Sequence, residues 1–524
     1  MRPSCYIRRV ISLLFAVLVL LPIVGAAAHI VVGRFAPIAR FPRPAQHFIL
    51  PAAAIGAVLC ALALFGFGGE AIVGGWMPVS LVGAPLLISI APPTAALVTA
   101  LACVGLAQAI RSHGQTDVVV AARALAFAAL MLTTLAANML TLFVGMGLVE
   151  LFTLLASAQT APDQISRRDV FRHAIFQVGS LLLLAMGFLI SVAAQSSLYF
   201  ALATISLRST PFFAAALLLR ALSLLLYPGA IANRFGPIAT LVLLMRLLDL
   251  NNAFLTPGIA LVVLIASVIT LIRAAITQNA SDRNLLAQTG AFLLIMLPHP
   301  ADPAAWVAAS ASAWLLSAEL IEHPAPIARL IGALSLFGVP LSAGFIARSG
   351  AVPATANIPA FILWCVAMAL LAFSLFQLVR GAGQPRLRLL SGLAGSPQSL
   401  ISFGVMALPL IALGVLPQAL GLPNALALVS RQGLADWLAM AFAAGAGVLL
   451  AIFSPRWAGR ATRQMQMAEQ VFKFRWLEDI LEGSVNRIAA PFRAVFTFLE
   501  SPGVLLWAIV AALLAVLISR PGGP

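Results

Sequence analysis

The chain has 524 residues, of which 62% are hydrophobic and only 9% charged, and it carries a formal net charge of +15. A mean hydropathy of +1.05 excludes an ordinary soluble globular domain, and a basic balance spread over short segments between apolar runs reads as membrane orientation rather than nucleic-acid binding. A membrane span needs roughly 20 apolar residues, and about 14 to 16 segments qualify, so the predicted fold class is an all-α, polytopic membrane helical bundle.

The first element, MRPSCYIRRVISLLFAVLVLLPIVGAAAHI, has a basic head, an apolar run and small residues at Ala26–Ala28. That is also how a cleavable signal peptide reads. Because the apolar run continues to Val32 and a second span follows at 48–68, it is read as a first span. Further spans are predicted near 86–110, 118–139, 140–158, 171–194, 210–232, 237–250, 255–277, 285–298, 302–321, 326–346, 359–380, 400–420, 434–454 and 503–519. Loops after odd-numbered spans hold most of the arginines, among them Arg34, Arg40, Arg43, Arg111, Arg123, Arg234, Arg273 and Arg329. The positive-inside rule places those loops in the cytoplasm of a bacterial-type inner membrane, although Arg2, Arg8 and Arg9 argue for the opposite orientation.

The stretch Pro211–Asp249 sets Arg220, Arg246 and Asp249 inside apolar helical sequence and interrupts it with Pro228 and Pro237. Ionisable residues within spans usually face a bundle interior, pair with one another and mark an ion path. Non-helical backbone at membrane depth needs protein or a water-filled cavity around it. Two readings stand here: a transport site on a helix broken near Leu225–Gly229, or a re-entrant kink whose helix-end arginines snorkel to the headgroups. Glu150 and Glu319 are the other carboxylates expected within the membrane. Cys5, Cys60, Cys103 and Cys365 are scattered without metal-ligand spacing. Lys473 is the sole lysine, and every other basic side chain is arginine.

Residues 460–500 break the pattern of spans. Phe472, Trp476 and Ile480 recur at helical spacing, with Glu469, Lys473, Glu478, Asp479 and Glu482 elsewhere on the wheel, which predicts an amphipathic helix. The expected organisation is a bundle over 1–454, an interfacial or lateral helix over 455–500, and a terminal span within 501–524.

Three stretches together resemble the antiporter-like membrane subunits of respiratory complex I, a family shared with multi-subunit cation/proton antiporters. LIGALSLFGVPLSAGFIARSG, Leu330–Gly350, is similar to the family's Gly-x-Pro run followed by Gly-Phe-x-x and a Lys or Glu, with Arg348 at that last position. LAANMLTLFVGMGLVELFTLLASA resembles the helix bearing the family's buried glutamate, here Glu150. SDRNLLAQTG, containing Asp282 and Arg283, is similar to an Asp-Leu-Lys-Arg-Leu-Leu-Ala segment, and Gly74–Pro78 adds a fourth, shorter match.

The resemblance implies proton or cation movement in which a buried Glu pairs with a Lys on a broken helix. It further implies other membrane subunits as partners, with any NAD, flavin, Fe–S or quinone chemistry lodged in those partners. Against that pattern, Leu217 stands where the essential Lys falls, and Arg220 lies one turn further on the same face. A lysine can release its proton when desolvated, whereas an arginine stays charged. The expected path residues are therefore Glu150, Arg220, Arg246, Asp249, Arg283, Glu319 and Arg348, with the relay running through carboxylates and water. His173, His299 and His323 are further titratable groups at span edges. A non-pumping scaffold and an unrelated secondary transporter built on inverted repeats are the competing readings. No Gly-rich phosphate loop followed by Lys-Ser/Thr and no nucleophile elbow points to an active site within the chain.

Overall fold

A computed structural model describes residues 5–39, 44–67, 69–75, 85–111, 116–160, 164–193, 208–229, 234–250, 257–277, 279–297, 303–340, 342–351, 358–381, 397–420, 422–434 and 436–453. The chain divides into two compact units, 1–462 and 463–524, and the described residues all belong to the first. The predicted amphipathic helix over 455–500 and the span at 503–519 lie outside them, as do Trp76–Pro78 and His299.

The first unit opens with α1 (Cys5–Ala39) and α2 (Pro44–Gly66), followed by a hairpin of β1 (Gly69–Gly75) and β2 (Pro85–Ile90). Then come α3 (Pro92–Arg111), α4 (Asp117–Leu135), α5 (Met139–Thr160), α6 (Gln164–Ala193), α7 (Thr210–Leu226), α8 (Phe235–Leu250), α9 (Pro257–Ile276) and α10 (Ala280–Ile295). The unit continues with α11 (Pro303–Ile321), α12 (Pro326–Phe337), α13 (Ala343–Ala351), α14 (Ile358–Gly381), α15 (Pro397–Val415), α16 (Ala425–Arg431) and α17 (Asp436–Phe453). Among the described residues, 11 helices are long and apolar enough to cross a membrane. The molecule is a polytopic helical bundle.

The hairpin corrects one expected boundary. The span anticipated from residue 86 begins only at Pro92, because PLLISI pairs antiparallel with Gly69–Gly75 and has its Ile88 bridged to Ala136 beyond α4. A short apolar run looks the same in a strand and in a buried helix.

Apolar composition around the whole circumference of a helix fits two surroundings, a core and a lipid face, and the bundle uses both. α11 is almost wholly buried, and the visible side chains of α8 are buried throughout. By contrast α1, α2, α6, α15 and α17 present Leu13, Leu59, Leu182, Leu408 and Phe442 outward, as a hydrocarbon solvent permits.

Two helices break at Gly and Pro, one at the place expected near Pro228 and one inside the span expected at 326–346, which is two helices, Pro326–Phe337 and Ala343–Ala351. α7 stops at Leu226, just before Pro228, and the chain resumes as a helix at Phe235. α12 stops at Gly338, whose φ of 91° lies in the left-handed region, and its N–H closes on the carbonyls of Leu334 and Ser335 at 3.1 and 3.0 Å. After Pro340 the chain re-enters as α13, and Gly344 meets the end of α12 at a distance no other residue tolerates. A Cβ there would lie 1.5 Å from the Ser335 carbonyl oxygen, a backbone atom that cannot swing aside. Gly344→Ala is therefore expected to cost at least ~1–3 kcal/mol, read as a lower melting temperature of the detergent-solubilised protein. An unchanged melting point would mean that the two half-helices separate freely.

Candidate functional site: a buried charge network

Glu150 sits in the middle of α5, and Arg220 in the last two turns of α7. Nη1 of Arg220 donates to Oε1 of Glu150 at 2.8 Å, and the arginine is fully buried while the carboxylate side chain is 10% exposed. The guanidinium also donates through Nε to Ser180 Oγ on α6 at 2.9 Å, and through Nη1 to Thr240 Oγ1 on α8 at 3.5 Å. Four helices thus converge on one ion pair. An arginine without such partners would be prohibitively costly in hydrocarbon, so the pair and its hydroxyls explain why a cation is tolerated in α7. Leu217, one turn earlier, is simply packed in the core. On the same face of α7, Ser223 Oγ meets His173 Nδ1 at 2.5 Å, and Gln177 lies 3.3 Å from His173 Nε2.

A second cluster forms around Glu319 on α11. Arg111 Nη2 at the end of α3 lies 2.5 Å from Oε2, and Gln108, one turn before it, donates to Oε1 at 2.7 Å. Arg234 Nε lies 3.7 Å from Glu319 Oε1, the oxygen that also accepts from Gln108. Arg234 also binds Glu322 and Gln288, donates to the Ala318 carbonyl at 3.3 Å and stacks over Trp314 at 5.8 Å from the ring centroid. Glu319 was legible as an intramembrane carboxylate, but its partners were read as loop arginines. Arg234, placed in a loop by the sequence, is 1% exposed. The available signal was the i,i+3 pairing of Gln108 with Arg111 and of Glu319 with Glu322 at two helix ends.

The start of α8 links the clusters. Arg234 immediately precedes it and grips Glu319, while Gly236 and Thr240 on its first turns face Glu150 and Arg220. A Cβ at Gly236 would stand 3.8 Å from Glu150 Oε2.

The other arginines on the expected path do a different job. Arg246 Nη2 donates to the Thr134 carbonyl at 3.1 Å, at the end of α4, and Arg348 Nη2 donates to Leu336 at 3.0 Å, at the end of α12. Arg283 donates to the Thr277 carbonyl, just past α9, at 2.8 and 3.1 Å. Arg273 reaches the Leu225 carbonyl of the broken α7, and Arg329 the His323 carbonyl beyond α11 at 2.8 Å. Helix C-termini leave carbonyls without intrahelical partners and carry partial negative charge. Guanidinium groups from neighbouring helices satisfy them here. Arg348 is 1% exposed, and its Nε and Nη1 make no hydrogen bond among the described residues. Asp249 lies in the last turn of α8, and its side chain is outside the description. His323 is buried between α11 and α12, with Nε2 3.1 Å from Ser402 Oγ, and burial pushes its pKa below the ordinary histidine value. Among the described residues, no group of three or more His, Cys, Asp or Glu side chains could hold a metal.

No family model matches the sequence, and no curated protein sequence matches it. Solved structures do. A chain of the Mrp complex from Dietzia sp. DQ12-45-1b superposes with a TM-score of 0.66 at 15% identity, over 98% of this chain and 64% of that one, so the present chain spans under two thirds of the Mrp chain's length. A chain of the membrane-bound sulfane sulfur reductase, an archaeal respiratory membrane complex, gives 0.62 at 14% identity over 96% and 99% of the two chains. A chain of respiratory complex I from Thermus thermophilus gives 0.57 at 15% identity over 82% and 99%. The chain has the fold of an antiporter-like membrane subunit, the one its motifs resemble.

Proposed function

We propose that this chain is a membrane subunit of an energy-converting complex of the Mrp or complex I kind, and that it carries protons on carboxylates. The observation that supports this is the Glu150–Arg220 pair, which joins the buried glutamate marked by the resemblance on α5 to an arginine on the broken α7, one turn beyond Leu217 where the resemblance places its Lys. Arginine holds its proton, so the group that gains and loses one is Glu150. Protonating Glu150 removes the counter-charge from Arg220, which keeps its bonds to Ser180 and Thr240 and stays in place as a fixed positive bias. The proton passes by water along the start of α8 toward the Glu319 cluster. Any NAD, flavin, Fe–S or quinone chemistry belongs to other subunits, and the host membrane is a bacterial-type inner membrane.

A specific observation favours a second reading, a non-pumping scaffold. The buried cations whose contacts are described are all arginines, and five arginines bind helix-end carbonyls, as a structure built to hold its shape would have them.

Both readings meet one experiment. The chain is affinity-purified from its own membrane, its co-purifying subunits are identified, and the assembly is reconstituted into vesicles carrying an internal pH dye. Recovery with other membrane subunits and protonophore-sensitive acidification are expected. Isolation of the chain alone would overturn the subunit reading, and a complete assembly that moves no protons would leave only the scaffold.

A further inference from the structure

We propose that His173 passes protons between the cytoplasmic surface and Glu150, standing at the surface end of a polar row shared by α6 and α7. The inference rests on the reading of Glu150 as a proton carrier. α6 packs against both α5 and α7, and His173, Gln177 and Ser180 recur on it at i, i+4 and i+7, one face of a helix. His173 is half-buried and lies one turn past Asp169, where the membrane-crossing part of α6 begins. Gln177 and Ser180 are buried. Ser180 is ~16 Å along its helix from Asp169, and Glu150 is ~15 Å from the Thr160 end of α5. The row therefore ends near the middle of a ~30 Å hydrocarbon layer, at the depth of the ion pair. The first turns of α6 carry Arg167, Arg168 and Arg172, which by the positive-inside rule makes the surface end cytoplasmic.

Direct contacts cover every step of the row but one. His173 Nδ1 lies 2.5 Å from Ser223 Oγ on α7, and its Nε2 lies 3.3 Å from the Gln177 amide. Ser223 is one turn from Arg220, which donates to Ser180 at 2.9 Å and to Glu150 at 2.8 Å. In the step between, Gln177 Oε1 and Arg220 Nη2 are buried and make no hydrogen bond among the described residues. Gln177 lies one turn from Ser180, which Arg220 grips, so water at this point finds both an acceptor and a donor. The two partners of the ring are neutral, and no carboxylate contacts it among the described residues. A neutral imidazole has one donor and one acceptor nitrogen, so it moves a proton without holding a net charge. Nε2 takes a proton from surface water as Nδ1 gives one to Ser223 Oγ. The serine's own proton passes through water to a carboxylate oxygen of Glu150, and the ring and hydroxyl then turn back to their starting arrangement. Arg220 keeps its proton throughout. A histidine that only tied α6 to α7 would need neither an accessible edge nor an open acceptor beneath it.

The test reads proton flux of the native assembly in vesicles at matched complex content, with Glu150→Gln as the reference. His173→Gln keeps a polar side chain but cannot take a proton on one side and release one from the other. It is expected to cut flux about 100-fold, the low end of what a positioned acid–base group supplies. His173→Ala should be as slow, and imidazole added to the medium, small enough to reach a half-buried position, should restore flux in proportion to its concentration. Ser223→Ala tests the same route without touching the ring: flux should fall, and imidazole should not restore it. Flux near the wild-type level in His173→Gln or Ser223→Ala, or no response of His173→Ala to imidazole, would overturn the proposal. An inactive Glu150→Gln beside an active His173→Gln removes this inference alone. An active Glu150→Gln removes the carrier reading on which it rests.

Discussion

Glu319→Gln is expected to be the most destabilising single substitution in the described part of the bundle. The carboxylate stands between Arg111 at 2.5 Å and Arg234 at 3.7 Å and accepts a third contact from Gln108. An amide there turns one acceptor into a donor facing a guanidinium, and it leaves the buried Arg234 with Glu322 alone and takes the carboxylate from the part-exposed Arg111. Removing one member of a buried ionic group strands the others and costs ~3–5 kcal/mol. Thermal melting of the purified assembly measures the loss. Glu322→Gln should cost less, because that carboxylate side chain is 36% exposed and water can replace it. Adding Arg111→Met to Glu319→Gln should recover part of the loss by removing one stranded charge. Equal melting temperatures for wild type and both single variants would show that the cluster is solvated and carries little of the stability.

Part of this architecture is legible in the sequence. Pro228 and Gly229 end α7, and Glu150 finds Arg220 because each is a lone charge in an apolar helix that must find its complement, whereas the 326–346 span expected as one element divides at Gly338 and Pro340. What spacing does not carry is which helices become neighbours. Arg111 and Glu319 are 208 residues apart, and each ends an apolar segment as a snorkelling charge would. Only the packing of α3 on α11 makes them partners. The capping arginines were hidden for a related reason. A broken helix advertises itself through Gly and Pro, but the cation that satisfies its last carbonyls comes from elsewhere in the chain, as Arg273 of α9 does for Leu225 of α7. Assigning Arg246 to the path by its place in an apolar helix, and Arg283 and Arg348 by the resemblance, could not distinguish conduction from this structural duty. The contacts described for these three go to backbone carbonyls at helix ends.

The clearest functional consequence concerns Glu150 and Arg220. Glu150→Gln keeps the size of the side chain and an oxygen that can accept from Nη1 of Arg220, so the hydrogen bond at 2.8 Å survives in outline. What it loses is the ability to take up and release a proton. Flux through the assembly should fall to background, with some loss of stability because Arg220 is left uncompensated. Arg220→Lys tests the complementary half. Lysine keeps the charge opposite Glu150 and, unlike arginine, can give its proton up in a desolvated setting. It forfeits the fork that spans Glu150, Ser180 and Thr240, so assembly should weaken slightly while flux is retained or rises. Both variants are measured in vesicles at matched complex content, which removes assembly differences from the comparison. Unchanged flux in the glutamine variant would rule out Glu150 as the carrier, and if the lysine variant were equally unchanged, the pair would be a structural clamp across α5, α6, α7 and α8.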